Sequence, residues 1–303
     1  MRVLIVGCGY VGLPLGVELV RLGHEVFGLR RNPASETELK TAGIQPLFAN
    51  ITQPDSLKDF PRDFDWVVNC ASSGGGDADA YRKTYLDGNR NLVAWLENAP
   101  PKKFIYTSST GVYAQNDGSQ IKESSPAEPE IETGKILIEA EKFLLGAFQQ
   151  KKFPVAILRV AGIYGPKRGR KFKQFLKNEA VMEGDGSRLM NMIHRNDVVG
   201  CIITTLKSGR AGEIYNAVDD EPVSQRTFFE WLGGTVGKYP PPSGPENADE
   251  NRKRGVTNKR VSNRKLKMEL GYQFQYPNFR KGYTAEIQRL SDAGMLQIEP
   301  DVR

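Results

Sequence analysis

The first residues able to do chemistry stand at 7–12: Gly7, Cys8, Gly9, Tyr10, Val11 and Gly12, with the spacing G-x-G-x-x-G. The spacing alone is common. Here it follows "RVLIVG" (2–7), an apolar run of the kind a strand buried on both faces requires, and it opens "GLPLGVELVRLG" (12–23), whose apolar residues recur at helical spacing. In that setting Gly7 permits a tight turn, and Gly9 lets the backbone approach a pyrophosphate. Gly12 allows close packing of helix on strand. With Tyr10 and Val11 the loop leads into a helix N-terminus, whose unpaired N–H groups and partial positive charge suit phosphates. The bland alternative is a glycine turn that binds nothing.

A second pair bears on which dinucleotide would sit there. An acidic residue roughly 20 positions past the glycines would hold an NAD ribose. "GLRRNP" instead places Arg30 and Arg31 there. A carboxylate repels a 2′-phosphate, whereas guanidinium forks grip it through charge-assisted bonds. The pair predicts NADP, with NAD as the alternative.

These residues need a scaffold. After the first helix come apolar runs at 24–31, 46–51, 66–72, 103–109 and 155–165, with helical patterns at 81–99 and from 132 to about 150. This βα rhythm predicts an α/β fold with a parallel sheet and helices on both faces. The second half is less regular. It offers a helix at 197–209 with Asp197 as N-cap, a strand at 213–219, and a helix at 224–237 capped by Ser224. The Pro- and charge-rich stretch 239–255 reads as a loop.

Composition narrows the classes. No apolar run reaches ~18 residues, so no membrane span is expected. The first strand begins at Arg2, which leaves no room for a cleaved leader. Cys8, Cys70 and Cys201 are odd in number and far apart, which argues against a disulfide framework. Together these predict a cytoplasmic protein. Only His24 and His194 could act as imidazole ligands, so no metal site is expected. The net charge of +6 is concentrated between Val236 and Lys281, where eleven Lys/Arg face four Asp/Glu. A second basic run, "KRGRKFKQFLK", covers 167–177. Both read as solvated basic faces rather than nucleic-acid surfaces, or as a pocket for a phosphorylated small molecule.

Five further motifs fall in order: "WVVNCAS" (66–72), "FIYTSSTGVYA" (104–114), "LRVAGIYGP" (158–166), "NMIHRNDVV" (191–199) and "IYNAVDDEPVS" (214–224). With the glycine loop they resemble the extended short-chain dehydrogenase/reductase superfamily, the NAD(P)-dependent epimerase/dehydratase group, over nearly the whole chain. The resemblance implies a Rossmann-type doubly wound parallel sheet over 1–163, rejoined at about 196–218. A smaller C-terminal α/β substrate lobe would be woven from 164–195 and 219–303. It implies Asn50 and Ile51 at the adenine end, Ala71 and Ser72 flanking the cofactor, and Val160 and Ala161 near the nicotinamide. Ser109 would hold a substrate oxygen, and Tyr113 and Tyr164 would line the cleft or simply pack. Family substrates are often nucleotide sugars, so Arg168 or Lys171 could meet a substrate phosphate. His194 more simply ties a loop. Members often form homodimers through two helices, which fall at about 81–97 and 133–149 here.

One element departs from the pattern. The family's acid–base pair is Tyr-x-x-x-Lys, followed by two residues and then Ala-Glu. In "ETGKILIEAEK" (132–142) the anchor Ala140-Glu141 puts those two positions at Thr133 and Leu137. Residues i and i+4 lie about 40° apart on a helix, so the pair would share one face, and the ammonium would pull the phenol pKa down from about 10. Lys135 lies roughly 200° round from Thr133 and cannot substitute. No tyrosine occurs between 115 and 150. Two classes of function survive. One is an oxidoreductase or epimerase with another acid–base group, for which Ser109, Thr133, Tyr113 and Tyr164 are the candidates. The other is a non-catalytic NADP-binding redox sensor or scaffold.

Overall fold

The computed structural model describes residues 1–245 and 257–296. The expected loop at 239–255 lies outside the described residues from 246 onward. Seven parallel strands form the central sheet: β1 (Arg2–Val6), β2 (Glu25–Arg30), β3 (Gln45–Phe48), β4 (Trp66–Asn69), β5 (Lys103–Ser109), β6 (Val155–Val160) and β7 (Ile214–Ala217). Their order is β7-β6-β5-β4-β1-β2-β3. β1 lies between β2 and β4, so Val3, Leu4, Ile5 and Val6 are fully buried, as an unbroken apolar run requires. The chain winds outward from β1 to β3, returns to β4 and winds the other way. A ligand crevice therefore belongs at the carboxyl ends of β1 and β4.

The flanking helices include α1 (Gly12–Arg21), α2 (Glu36–Thr41) and α3, which is built from Ala78–Tyr81, a π-helical segment Arg82–Asp87, and Gly88–Leu96. α4 spans Glu132–Lys151 and ends where Lys152 turns left-handed at φ 57°. The second half of the chain adds α5 (Arg170–Leu176), α6 (Arg195–Ser208), α7 (Gln225–Val236), α8 (Arg264–Leu270) and α9 (Phe279–Asp292).

Ser224 caps α7 by accepting from the Thr227 N–H at 3.0 Å. The cap expected at Asp197 is not formed. α6 starts two residues earlier, and His194 caps it by accepting from the Asn196 N–H through Nδ1 at 3.2 Å. Asp197 is instead fully buried and accepts from the Tyr272 hydroxyl (2.7 Å) and the N–H groups of Gln275 (2.7 Å) and Tyr276 (2.9 Å). A carboxylate that satisfies three donors is worth more than a cap, and it ties α6 to the segment before α9.

A second apolar cluster stands apart from that of the sheet, with Phe172, Phe175, Phe228, Phe229, Phe279 and Tyr283 among its members. Val261, Leu266 and Leu270 join the larger cluster instead. So α8 packs on the sheet side, against β7. Among the described residues no helix is long and apolar enough to cross a membrane.

Candidate active site

A cleft of about 410 Å³ opens at the crevice between β1 and β4. The three glycines divide their work there. Gly7, at φ +82°, has its Cα side against Ala71: a Cβ on it would stand 2.4 Å from the Ala71 Cα. A Cβ on Gly12 would stand 2.6 Å from the Gly7 carbonyl oxygen and 3.2 Å from the Cys70 Sγ, so Gly12 serves packing and does not line the cleft. A Cβ on Gly9 would meet nothing within 4 Å. The space in front of Gly9 is thus open, as a backbone that receives a phosphate needs.

Gly7, Gly9, Tyr10 and Val11 line one end of the cleft together with Arg30 and Arg31. The two arginines are not equivalent. Arg30 donates through Nε to the Cys8 carbonyl and through Nη1 to Glu38 at 2.6 Å. Arg31 is exposed. Asn50, Ile51, Ala71 and Ser72 line the next stretch. The Asn50 Oδ1 accepts from the Thr52 N–H (3.2 Å) and hydroxyl (3.1 Å), which shapes its own turn. Ala71 is held by its N–H to the Asn69 Oδ1 at 3.2 Å, and Asn69 donates to the buried Asn89 on α3 at 2.8 Å. Burial pushes the Cys8 thiol up to about 12 and raises that of Cys70 as well, so neither is a thiolate at neutral pH.

The far end is walled by Val160, Ala161, Thr107, Ser108, Ser109, Thr84, Tyr85 and Leu137. Leu137 is 3% exposed and stands in this wall where the resemblance implies an ammonium. Ser109 Oγ accepts from the Gly111 N–H at 3.1 Å, which keeps its own proton available to donate. Ser108 gives its proton to Glu141 at 2.6 Å, and Thr107 gives its proton to the Asn69 carbonyl at 3.2 Å.

Three candidates lie elsewhere. Tyr113 does not line the cleft: it is fully buried and donates to the Asn216 Oδ1 at 2.9 Å. Tyr164 is stacked on Tyr283 at 4.4 Å between centroids and donates to the Asn278 carbonyl at 3.3 Å. Burial raises the pKa of both phenols. Both are packing groups, and Thr133 also falls outside the lining. Of the two basic residues, Lys171 pairs with Glu183 at 3.1 Å, whereas Arg168 does line the cleft. Sequence reasoning passed over Thr84 and Tyr85, since no motif marks them. Their signal is the helix after β4, whose N-terminal half faces the crevice.

Residues 3–217 match the NAD dependent epimerase/dehydratase family. The chain belongs to that family. Protein YeeZ of Escherichia coli strain K12 is 28% identical over 91% of this chain and 97% of its own length. The dTDP-D-glucose 4,6-dehydratase of Homo sapiens is 35% identical, over 45% of this chain and 42% of its own. Among solved structures, a putative NAD-dependent epimerase/dehydratase from Methylobacillus flagellatus is 30% identical, with a TM-score of 0.74 over 96% of this chain and 98% of that one. A UDP-glucuronic acid 4-epimerase from Bacillus cereus, in complex with UDP-glucuronic acid and NAD, shares the fold at a TM-score of 0.80 and 20% identity, covering 97% of this chain and all of that one. Among the described residues of this family member, no group of three or more His, Cys, Asp or Glu gathers to hold a metal.

Proposed function

We propose that the protein is an NADP-dependent oxidoreductase or epimerase acting on a phosphate-bearing small molecule of the nucleotide-sugar class, with an acid–base group other than the family pair. The observation that carries this reading is the single cleft that runs from the glycine loop and Arg31 to Ser109. The open space at Gly9 fits a dinucleotide pyrophosphate, and the Arg30–Arg31 end fits a 2′-phosphate better than a bare ribose. Asn50 and Ile51 would hold the adenine end, Ala71 and Ser72 the middle, and Val160 and Ala161 the nicotinamide end.

When bound, a nicotinamide supplies or accepts a hydride at C4. The chain must supply the accompanying proton and orient the substrate oxygen. With the protons of Ser108 and Thr107 committed to Glu141 and Asn69, the wall offers the hydroxyls of Ser109 and Thr84, and Tyr85 lines it beside them. Ser109 donates to and positions the substrate oxygen. Tyr85 is the phenol of this wall, and a phenol is by its chemistry a stronger acid than a serine or threonine hydroxyl. Leu137 excludes water there but contributes no charge.

The test is absorbance at 340 nm for NADPH mixed with the protein and a panel of carbonyl compounds and nucleotide sugars, run beside Ser109→Ala and Tyr85→Phe. Oxidation by the wild type that falls at least tenfold in either variant supports the reading. Tight NADPH binding with no oxidation across the panel would make the protein a non-catalytic dinucleotide binder, which the apolar Leu137 in the wall favours.

A further inference from the structure

Two arginines from outside the dinucleotide half converge on the glycine loop. The Cζ of Arg168 lies 5.0 Å from the centroid of the Tyr10 ring, and the Cζ of Arg195 lies 5.3 Å from the same centroid. Their backbones are firmly held. Arg168 closes a small turn in which the Gly165 N–H donates to the Arg168 carbonyl at 3.1 Å and the Arg168 N–H donates back at 2.9 Å. Arg195 is the first residue of α6, next to the capping His194. Neither guanidinium pairs with a carboxylate among the described residues. Arg195 makes long contacts to the neutral Asn196 Oδ1, at 3.3 and 3.4 Å. The Glu286 carboxylate is engaged by the Arg289 Nε at 3.1 Å, with the His194 Nε2 3.8 Å away.

Two positive charges beside one ring, with no anion between them, repel each other unless something negative arrives. The ring belongs to Tyr10, which follows Gly9, the residue whose front is open to a pyrophosphate. Arg168 lines the same cleft as Gly7, Gly9 and Tyr10. We infer that Arg168 and Arg195 form a two-armed clamp, presented from the lobe side, that grips the cofactor's pyrophosphate over Tyr10. This reassigns Arg168 from the substrate to the cofactor. It rests on the reading of the cleft as a dinucleotide site. The backbone N–H groups of the loop hold the pyrophosphate from below, and the guanidinium forks close from above with charge-assisted bonds. The clamp also couples the two halves of the molecule, because cofactor charge is what relieves the repulsion between its arms.

The test compares two ligands on Arg168→Ala, Arg195→Ala and the double variant by isothermal titration calorimetry. NADPH carries the pyrophosphate. Adenosine 2′-phosphate carries the adenine and the 2′-phosphate without it. Each single substitution is expected to weaken NADPH about tenfold and the double about a hundredfold, while adenosine 2′-phosphate binds all four proteins alike. A double variant that binds NADPH within twofold of wild type overturns the clamp. Equal weakening of both ligands overturns it too, since the arginines would then act through the shape of the site. If the wild type prefers NADH, the same comparison uses NADH against adenosine, so the choice of dinucleotide and the clamp fail separately. A wild type that binds neither dinucleotide overturns the cofactor reading and the clamp together.

Discussion

Glu141 and Arg159 form a forked ion pair with both side chains about 95% buried or more. The Nε of Arg159 lies 3.1 and 3.2 Å from the two carboxylate oxygens, and its Nη2 lies 2.6 Å from Oε2. Ser108 adds a third donor at 2.6 Å. The pair pins α4 to β5 and β6 and so sets the rotation of the helix. Leu137 stands one turn before Glu141, on the same face. The Ala140-Glu141 anchor thus does in space what it does in the sequence: it places residue 137 in the cleft wall, where this chain has a leucine.

Breaking such a pair leaves a buried charge alone. Arg159→Met and Glu141→Leu should each lower stability by about 3–5 kcal/mol, whereas the double variant should recover most of that loss. Urea midpoints of the four proteins measure the coupling. Losses that simply add would show that the pair does not act as a unit.

Gly7 and Gly9 separate folding from binding. Gly7→Ala must place a Cβ against the Ala71 backbone at a positive φ, and should lower stability by about 2 kcal/mol or more. Gly9→Ala meets open space, so its melting temperature should stay within a degree or two of wild type. Its NADPH affinity should nevertheless fall by at least tenfold, because the methyl fills the room the pyrophosphate needs. Unchanged binding in Gly9→Ala would remove the glycine loop from the site.

What the sequence made legible follows from the range of each interaction. The strands, α1, α4 and the glycine loop depend on local pattern and neighbours within a turn, and they stand where the pattern puts them. Tyr113 and Tyr164 depend on partners 103 and 114 residues further along the chain, so no spacing rule could show that one serves Asn216 and the other Asn278. The same holds for Asp197, whose shortness suits a cap but whose three donors include Tyr272 and Tyr276. The approach of Arg195 to Tyr10 is likewise invisible until the sheet brings α1 and α6 together.

Arg30 and Arg31 should contribute unequally to dinucleotide choice. Arg30 is spent on Glu38 and the Cys8 carbonyl, while Arg31 is exposed at the cleft. Arg31→Ala should weaken NADPH about tenfold and leave NADH within twofold, since only the former has a 2′-phosphate to lose. Arg30→Ala should weaken both, because it loosens the loop at Cys8. Fluorescence titration of the two cofactors against each variant decides it. An Arg31→Ala that loses both equally would move the 2′-phosphate site elsewhere.

Lys259 gives the fold a pH dependence of unusual sign. It is 3% exposed, and its Nζ donates to the Tyr113 carbonyl. Burial lowers its pKa to about 8, whereas in an unfolded chain it titrates near about 10.4. Below pH 8 both states hold the proton, and the fold bears the whole penalty of a buried charge. Between about 8 and 10.4 the unfolded state binds more protons than the folded one, so this group's contribution to stability rises with pH. Above that range neither state is charged and the penalty, on the order of 3 kcal/mol, is gone. Lys259→Met removes the penalty at the cost of one hydrogen bond of about 1 kcal/mol. It should therefore be the more stable protein at neutral pH by roughly 2 kcal/mol, with the advantage shrinking through pH 9 and lost by about pH 10.5. Denaturant unfolding of the two proteins across that range measures the gap. A gap that stays constant with pH, or a wild type that is the more stable at neutral pH, would show that Lys259 does not carry a buried charge.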